Sequence, residues 1–189
     1  MDHRIYTFGV SGRLYKSNVL LYDRQTESLW SQLMEKAIAG PLAGKSLKRL
    51  PSSRTSWKRW KKNNPHTLVL STDTGYNRDY SVDPYKGYYR SLGIWFPVGD
   101  VRRDLSPKAM VLGIVIDGEA RAYPISLLKT KPGILRDETG GKTIYIEITP
   151  DGEVIGVKDD KGKQISPVFS YWFAWQAFHP ETTVYGGRK

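Results

Sequence analysis

The chain has 189 residues, a length that suits one domain or two small domains that share a core. Hydrophobic residues make up 39% of it and charged residues 25%, so a packed core can form and global disorder is excluded. There is no cysteine, which excludes disulfides, thiolate metal sites and thiol nucleophiles within this sequence. No apolar run approaches the roughly 20 residues of a membrane-spanning helix, and the first residues lack the features of a signal peptide.

The positive charge is concentrated in one segment. The formal net charge is +10, from 29 Lys and Arg against 19 Asp and Glu. Nine basic residues and no acidic residue lie between Lys36 and Thr72, and the rest of the chain carries 20 basic against 19 acidic residues. Such a segment can attract phosphate backbones, acidic glycans or anionic lipid headgroups. The alternative is a solvated surface helix that serves solubility.

The first part of the chain predicts short strands and one helix. Residues 4–10 alternate like a half-buried strand, a turn follows at Ser11-Gly12, and residues 18–23 and 27–33 predict a hairpin. Residues 39–45 have the composition of a loop. A helix should begin at residues 51–53 with a serine N-cap and stop before Pro65, because the residue preceding proline disfavours the α region. Residues 67–71 then predict a short strand.

The later part of the chain begins with an irregular, aromatic stretch. Residues 72–98 hold seven Tyr, Trp or Phe side chains among glycines and prolines, and long loops of this kind are often functional. Residues 111–117 and 119–123 predict a hairpin around the Asp117-Gly118 turn. Residues 143–148 predict a strand with three isoleucines on one face, and residues 170–179 predict an apolar helix that ends before Pro180.

Five residues recur at identical spacing, 115 positions apart. The pairs are Trp57 and Trp172, Trp60 and Trp175, Pro65 and Pro180, Thr67 and Thr182, and Val69 and Val184. The shared pattern predicts a helix whose tryptophans pack on a sheet, then a proline stop and a strand. The second copy is apolar nearly all round and should be buried, whereas the first is basic and should lie on the surface with one buried edge.

These patterns predict an α+β fold dominated by antiparallel strands. We expect a single domain over residues 1–189 with an internal duplication, in which each of two pseudo-equivalent halves contributes one tryptophan-bearing helix. The first half spans about residues 1–72, a connecting loop spans residues 73–110, and the second half spans about residues 111–189.

Five long motifs carry a family resemblance. They are TFGVSGRLYKSNVLLYDRQTESLWSQ (7–32), AIAGPLAG (37–44), LPSSRTSWKRW (50–60), NPHTLVLSTDTGYNRDYSVDPY (64–85) and YWFAWQAFHPETTVY (171–185). Together they cover most of the chain and resemble DUF3179, a bacterial and archaeal family known only as a domain of unknown function. The stretch DGEARAYPISLL (117–128) looks like a motif that members also carry nearer their N-terminus, which agrees with the duplication.

The resemblance also points to a difference. Members typically carry a Cys-Pro-x-Cys segment just before the part that the first residues match, and this sequence has no cysteine. It therefore resembles the C-terminal portion of a full member or a short natural version. Any thiol-dependent metal or redox chemistry of the family would lie outside this sequence. Members often look exported, whereas the sequence shows no signal peptide, so the compartment stays open.

The leading candidate site is the loop over residues 74–85. Its candidate ligand-binding residues are Tyr76, Arg78, Asp79, Asp83 and Tyr85. Aromatic rings beside Arg and Asp suit a polar or glycan-like ligand, by stacking and bidentate contacts. The alternative is a loop pinned by its own Arg–Asp pairs and tyrosine hydroxyl bonds.

Asp73, Asp79 and Asp83 raise a weak metal hypothesis. Calcium prefers several oxygen ligands, but the spacing of these three carboxylates fits no EF-hand loop. The sequence requires no cofactor.

The second candidate segment spans residues 11–23. Ser11, Tyr15, Asn18 and Asp23 are further candidates for lining the same pocket. No base is paired with Ser11 in the sequence, and there is no nucleophile elbow, Walker loop or dinucleotide fingerprint. Whether the protein is an enzyme stays open.

The basic segment offers candidate contacts for a polyanion. They are Arg54, Lys58, Arg59, Lys61 and Lys62, interleaved with two tryptophans. The repeat argues against nucleic acid, because both tryptophans have counterparts in an apolar helix and should pack inward. No pattern of a known nucleic-acid-binding fold is present.

The leading functional hypothesis is a non-catalytic ligand-binding or interaction module that uses the loop over residues 74–89. One alternative is the C-terminal part of an enzyme or of a metal or redox protein. The other is a polyanion or nucleic-acid binder that uses residues 54–62.

Overall fold

The fold is built from strands and short helices in the residues that the structure, a computed structural model, describes: 4–50, 52 and 54–187. The strands are β1 (Phe8–Tyr15), β2 (Asn18–Asp23), β3 (Leu29–Ser31), β4 (Lys36–Ala39), β5 (Met110–Ile116), β6 (Glu119–Pro124), β7 (Gly133–Thr139), β8 (Lys142–Ile148), β9 (Val154–Asp159), β10 (Val168–Tyr171) and β11 (Thr183–Val184). The helices are α1 (Trp57–Asn63), α2 (Lys86–Arg90), α3 (Ile125–Leu128) and α4 (Trp172–Phe178). All strand pairs but one are antiparallel, so the predicted α+β class is confirmed.

The central sheet has the strand order β10-β5-β6-β11. Its hairpin, β5–β6, turns through Asp117 and Gly118, whose φ angles are 49° and 86°. Two successive positive φ angles define the type I′ turn that an Asp-Gly pair favours, and the predicted hairpin is therefore confirmed. The short strand β11 forms the edge of this sheet next to β6 and runs parallel to β6.

One face of the central sheet packs on a second sheet of order β7-β8-β9. Leu112 and Ile114 on β5 meet Ile144, Ile146 and Ile148 on β8, and all five side chains are buried. Because side chains alternate along a strand, the isoleucine spacing places all three on this face, as the sequence predicted.

The opposite face of the central sheet carries α4. Trp172 and Trp175 are fully buried against Val111 and Ala122. Gly113 makes this packing feasible, because a Cβ atom there would lie 2.2 Å from the Trp175 ring. The predicted burial of this apolar helix is confirmed.

A third sheet of order β1-β2-β3-β4 forms the N-terminal part. The predicted strand over residues 18–23 matches β2, but the first strand begins later than expected and continues through the predicted Ser11-Gly12 turn. Gly12 has a φ of 71°, and the pairing of β1 with β2 shifts register between Val10 and Leu14. The turn composition therefore marks a bulge within one strand and not the end of that strand.

The basic helix differs most from prediction. α1 begins at Trp57 with Ser56 as its N-cap, and Pro51 and Ser53 lie outside the described residues. It ends before Pro65, as predicted. Trp57 and Trp60, which were expected to pack inward, are 51% and 42% exposed. The prediction of a buried edge is wrong, because none of the residues of α1 is buried in the described structure.

Residues 67–71 lie in no sheet, so the strand predicted after α1 is wrong. The loop predicted over residues 39–45 is confirmed over residues 40–45, since only Ala39 belongs to β4. Residues 72–98 are irregular, as predicted, apart from α2.

Candidate functional site

An aromatic cleft of about 500 Å³ lies where the β1–β2 turn, residues 85–96 and the β10–α4 junction meet. One wall carries Tyr85, Tyr88, Trp95 and Phe96, and polar residues such as Asn18 line the same cleft. Tyr85, Trp95 and Phe96 are each about half exposed. The size and the mixture of aromatic and polar side chains are typical of small-molecule sites.

The aromatic wall is held by ring contacts and by one lysine. The Trp95 ring lies 4.7 Å from that of Tyr88 and 6.0 Å from that of Tyr85, between centroids. The Lys108 ammonium sits 3.5 Å from the Tyr88 ring centroid and donates to the carbonyl oxygens of Tyr88 (2.6 Å) and Ser91 (2.8 Å). Desolvation lowers the pKa of Lys108, and desolvation together with the nearby Tyr171 raises that of Tyr88. Lys108 thus ties the wall to the residues that precede β5.

The polar wall is formed by the β1–β2 hairpin. Its turn residues, Lys16 and Ser17, have φ angles of 49° and 60°, a conformation that side-chain-bearing residues seldom adopt. Lys16 Nζ donates to the carbonyl oxygen of Ala177, and the Tyr15 ring packs edge-on against Phe178 at 5.7 Å. These contacts fix the turn against the end of α4.

Asn18 is the unusual residue in this wall. Its Oδ1 atom is buried and has no hydrogen-bond partner within the described part of the chain. A buried polar atom without a hydrogen-bond partner costs about 1–3 kcal/mol of folding free energy, so a ligand that donated a hydrogen bond to this oxygen would gain affinity.

Two of the predicted site residues share the cleft, Asn18 from the first segment and Tyr85 from the loop. The Ser11 hydroxyl donates to the Leu20 carbonyl oxygen at 2.6 Å and accepts from the Arg13 amide, so its proton is engaged within the bulge. Tyr15 supports the turn through Phe178. Neither Ser11 nor Tyr15 lines the cleft.

Asp23 lies in a buried network at the end of β2, in the N-terminal sheet. Its carboxylate accepts from Trp30 Nε1 at 2.8 Å, and from the Thr26 amide at 2.6 Å and hydroxyl at 2.9 Å. Burial alone would raise the pKa of Asp23, but the hydrogen bonds from Trp30 and Thr26 outweigh it and hold the pKa below its usual value. The surroundings of Asp23 are those of a structural residue.

The remaining loop candidates lie outside the cleft on an exposed surface. Asp79 accepts from the Ser81 hydroxyl and amide, which lowers its pKa, and Asp83 accepts from the Tyr85 amide at 2.8 Å. These bonds are turn contacts within the loop. Tyr76 is 77% exposed, and Arg78 has no ion pair among the described residues.

The three aspartates of the metal hypothesis are not brought together. Over residues 4–50, 52 and 54–187, no group of three or more His, Cys, Asp or Glu side chains could hold a metal ion. Asp73, Asp79 and Asp83 therefore do not form such a group with one another.

The basic cluster is partly neutralised. Arg59 pairs with Asp151 at 3.1 Å and with Glu153 at 2.9 Å, on the turn between β8 and β9. The Arg54 guanidinium lies 5.5 Å from the Phe169 ring centroid. Lys58, Lys61 and Lys62 are exposed.

A larger cleft of about 840 Å³ lies beside Arg102 and Arg121. Arg102 is engaged by Asp104 and by the carbonyl oxygens of Pro180 and Thr182. Arg121 pairs with Asp137 at 2.7 Å. Because both arginines are already bonded, this cleft offers a weaker site than the aromatic cleft.

The site residues predicted from the sequence do not include most of the aromatic wall. Tyr88, Trp95, Phe96 and Tyr171 were not among the site candidates, although the first three belong to the aromatic stretch that the sequence singled out. The signal was the density of rings between residues 85 and 96. The contribution of the β10–α4 junction had no local signal, because it depends on how distant segments meet.

Comparison with known proteins identifies a family but supplies no activity. The model of a family described as "Protein of unknown function (DUF3179)" matches residues 1–164. No curated protein and no solved structure shows a significant match. None of the described helices has the length and apolar character needed to cross a membrane.

Proposed function

Since the chain belongs to the DUF3179 family of proteins of unknown function, we propose its function from its own geometry: a non-catalytic module that binds a polar ring compound, such as a glycan, in the aromatic cleft. The observation that supports the proposal is a cleft lined by half-exposed aromatic rings and by Asn18, whose buried side-chain oxygen has no hydrogen-bond partner in the described part of the chain.

The aromatic wall suits the apolar faces of a sugar ring. Tyr85 and Trp95 remain about half exposed although each contacts another aromatic ring, so part of each ring stays available for stacking. Aromatic rings with a polar tip are favoured where one side of a ligand is apolar and the other is wet.

The polar wall suits the hydroxyl groups of the same ligand. A sugar hydroxyl that donated to Asn18 Oδ1, after a side-chain rotation that turns this buried oxygen towards the cleft, would remove the cost of leaving the oxygen unpaired. Ser17, Gln32 and Ser170 add further polar side chains to the lining. Stacking on one wall and hydrogen bonding on the other would orient a ring compound between them.

The test is thermal unfolding of the full chain with a panel of neutral and acidic oligosaccharides. A ligand present at 100 times its dissociation constant stabilises a protein by about 2.7 kcal/mol. For a chain of this size the shift in Tm is on the order of 5–10 °C. Trp95→Ala should abolish the shift, whereas Tyr76→Ala, which removes an exposed ring of the same loop outside the cleft, should preserve it.

Asn18→Leu gives an independent test of the polar wall. It removes the unpartnered oxygen, so the free energy of unfolding of the ligand-free chain should stay unchanged or rise, while the ligand-induced shift should fall. The proposal is ruled out if no oligosaccharide of the panel raises the Tm of the protein, or if the rise in Tm survives Trp95→Ala.

A further inference from the structure

The two repeat segments share their local structure in detail. α1 and α4 each span seven residues, and the residues after them, Asn64 and His179, have φ, ψ of −134°, 67° and −130°, 69°. Trp60 Nε1 donates to Thr67 Oγ1 at 2.9 Å, and Trp175 Nε1 donates to Thr182 Oγ1 at 2.9 Å. The sequence repeat is therefore matched by a repeated helix–turn unit with the same internal hydrogen bond.

The surroundings of the two units differ completely. In the second unit both tryptophans are fully buried under the β5–β6 hairpin, and the strand that follows, β11, pairs with β6. In the first unit Trp57 and Trp60 are about half exposed, and Leu68 and Val69, the residues equivalent to β11, are 94% and 69% exposed.

We infer that α1 and residues 64–70, which we call the open unit, are the docking site for a β-hairpin of a partner polypeptide with the chemistry of β5–β6. The second unit serves as the template, because it shows what covers the same local structure within the same molecule. The hairpin would lie across the tryptophans and would pair its second strand with residues 68–69, as β6 pairs with β11.

The open unit is already oriented for such a partner. Arg59 fastens one side of α1 to Asp151 and Glu153, and the Ser56 amide donates to Glu153 Oε1 at 2.8 Å. The tryptophan side is consequently left facing away from these carboxylates. Exposed apolar side chains gathered in one patch of this kind mark interaction surfaces.

The template specifies the partner's side chains. A glycine must face Trp60, as Gly113 faces Trp175, because a Cβ atom at Gly113 would lie 2.2 Å from the ring. Small or branched apolar residues should flank that glycine, as Val111 and Ala122 do. The exposed Lys58, Lys61 and Lys62 give the open unit a positive charge and predict acidic residues at the margins of the hairpin. The β5–β6 hairpin of a second copy does not qualify, because α4 already covers it.

The experiment measures binding of a labelled, backbone-cyclised peptide with the sequence of residues 110–124, MVLGIVIDGEARAYP, to the full chain by fluorescence anisotropy. Cyclisation is needed because an isolated two-stranded hairpin is marginally stable. We expect saturable binding that weakens at least tenfold with Trp60→Ala in the protein. The same loss is expected when the peptide carries Gly113→Val.

Trp95→Ala in the aromatic cleft is the matched control and should bind the peptide like the unaltered chain. Because Trp60→Ala also removes the hydrogen bond to Thr67, the circular dichroism and Tm of the variant are measured with its binding, which separates lost docking from lost folding. The inference is overturned if no saturable binding occurs up to about millimolar peptide, or if binding is indifferent to Trp60→Ala or to the Gly113→Val peptide. It is equally overturned if sedimentation shows a dimer that Trp60→Ala dissolves, or if only a heparin fragment binds the open unit.

Discussion

Gly113 provides the sharpest test of how the core is packed. In Gly113→Ala the new Cβ would lie 2.2–2.4 Å from three atoms of the Trp175 ring, well inside any normal contact. The ring is fully buried and its nitrogen donates to Thr182, so it has no free space into which to move. Overpacking of this kind costs about 1–3 kcal/mol, and disturbing the indole hydrogen bond adds about 0.5–1.5 kcal/mol. We expect the variant to lose about 2–4 kcal/mol of unfolding free energy.

The assay is urea unfolding followed by tryptophan fluorescence, with Gly156→Ala as the control. Gly156 also lies in a strand, but its added Cβ would meet its nearest neighbour, Glu147 Oε2, at an ordinary 3.4 Å, so we expect a change of at most about 0.5 kcal/mol. Trp175→Phe in the Gly113→Ala background should cost less than the sum of the two single changes, because the two sites share one contact. Equal costs for Gly113→Ala and Gly156→Ala would refute the reasoning.

Three further predictions follow from the polar contacts. Burial, reinforced by Arg49, lowers the pKa of His179 below 6.5, and hydrogen bonds lower the pKa of Asp23 below 3.8 despite its burial. Because the unfolded chain then binds more protons, the unfolding free energy should fall as the pH drops through 6.5 and again below about 4. Urea unfolding at a series of pH values measures both decreases. Asp23→Asn should destabilise the chain by about 1–3 kcal/mol at pH 7 in the same assay. An unchanged urea midpoint would show that the hydrogen bonds of Asp23 do not stabilise the fold. Lys108→Met should remove the contacts that hold Tyr88, so amide hydrogen exchange should become faster over residues 85–96 and stay unchanged in β8. Equal exchange over residues 85–96 in the variant and in the unaltered chain would contradict this role of Lys108.

The candidate site was predictable only in part. Asn18 was predicted from the position of its segment next to the cysteine segment that the resemblance implies, and Tyr85 from its aromatic loop, and both residues line one cleft. Asp23 and Ser11 have the same polar character in sequence, but their side chains bond the protein's own groups. Residue type shows that a side chain can make a hydrogen bond, whereas only the folded chain decides whether its partner is internal.

The repeat illustrates the same division. The spacing of two tryptophans, a proline and a threonine was sufficient to predict two helices that stop at the same point, because capping and the i, i+3 relation are local. It led to the wrong burial for Trp57 and Trp60, because burial depends on a sheet that is close in space and distant in sequence.

The sequence by itself determined the α+β class, the Asp117-Gly118 hairpin, the isoleucine face of β8 and the apolar character of α4. Each of these follows from periodicity or turn chemistry within a few residues. The tertiary structure alone decided that Trp175 lies on Gly113 and that the β1–β2 turn meets the aromatic stretch beside β10. Such contacts join residues far apart in the chain, and their free energy depends on packing geometry that no local pattern encodes.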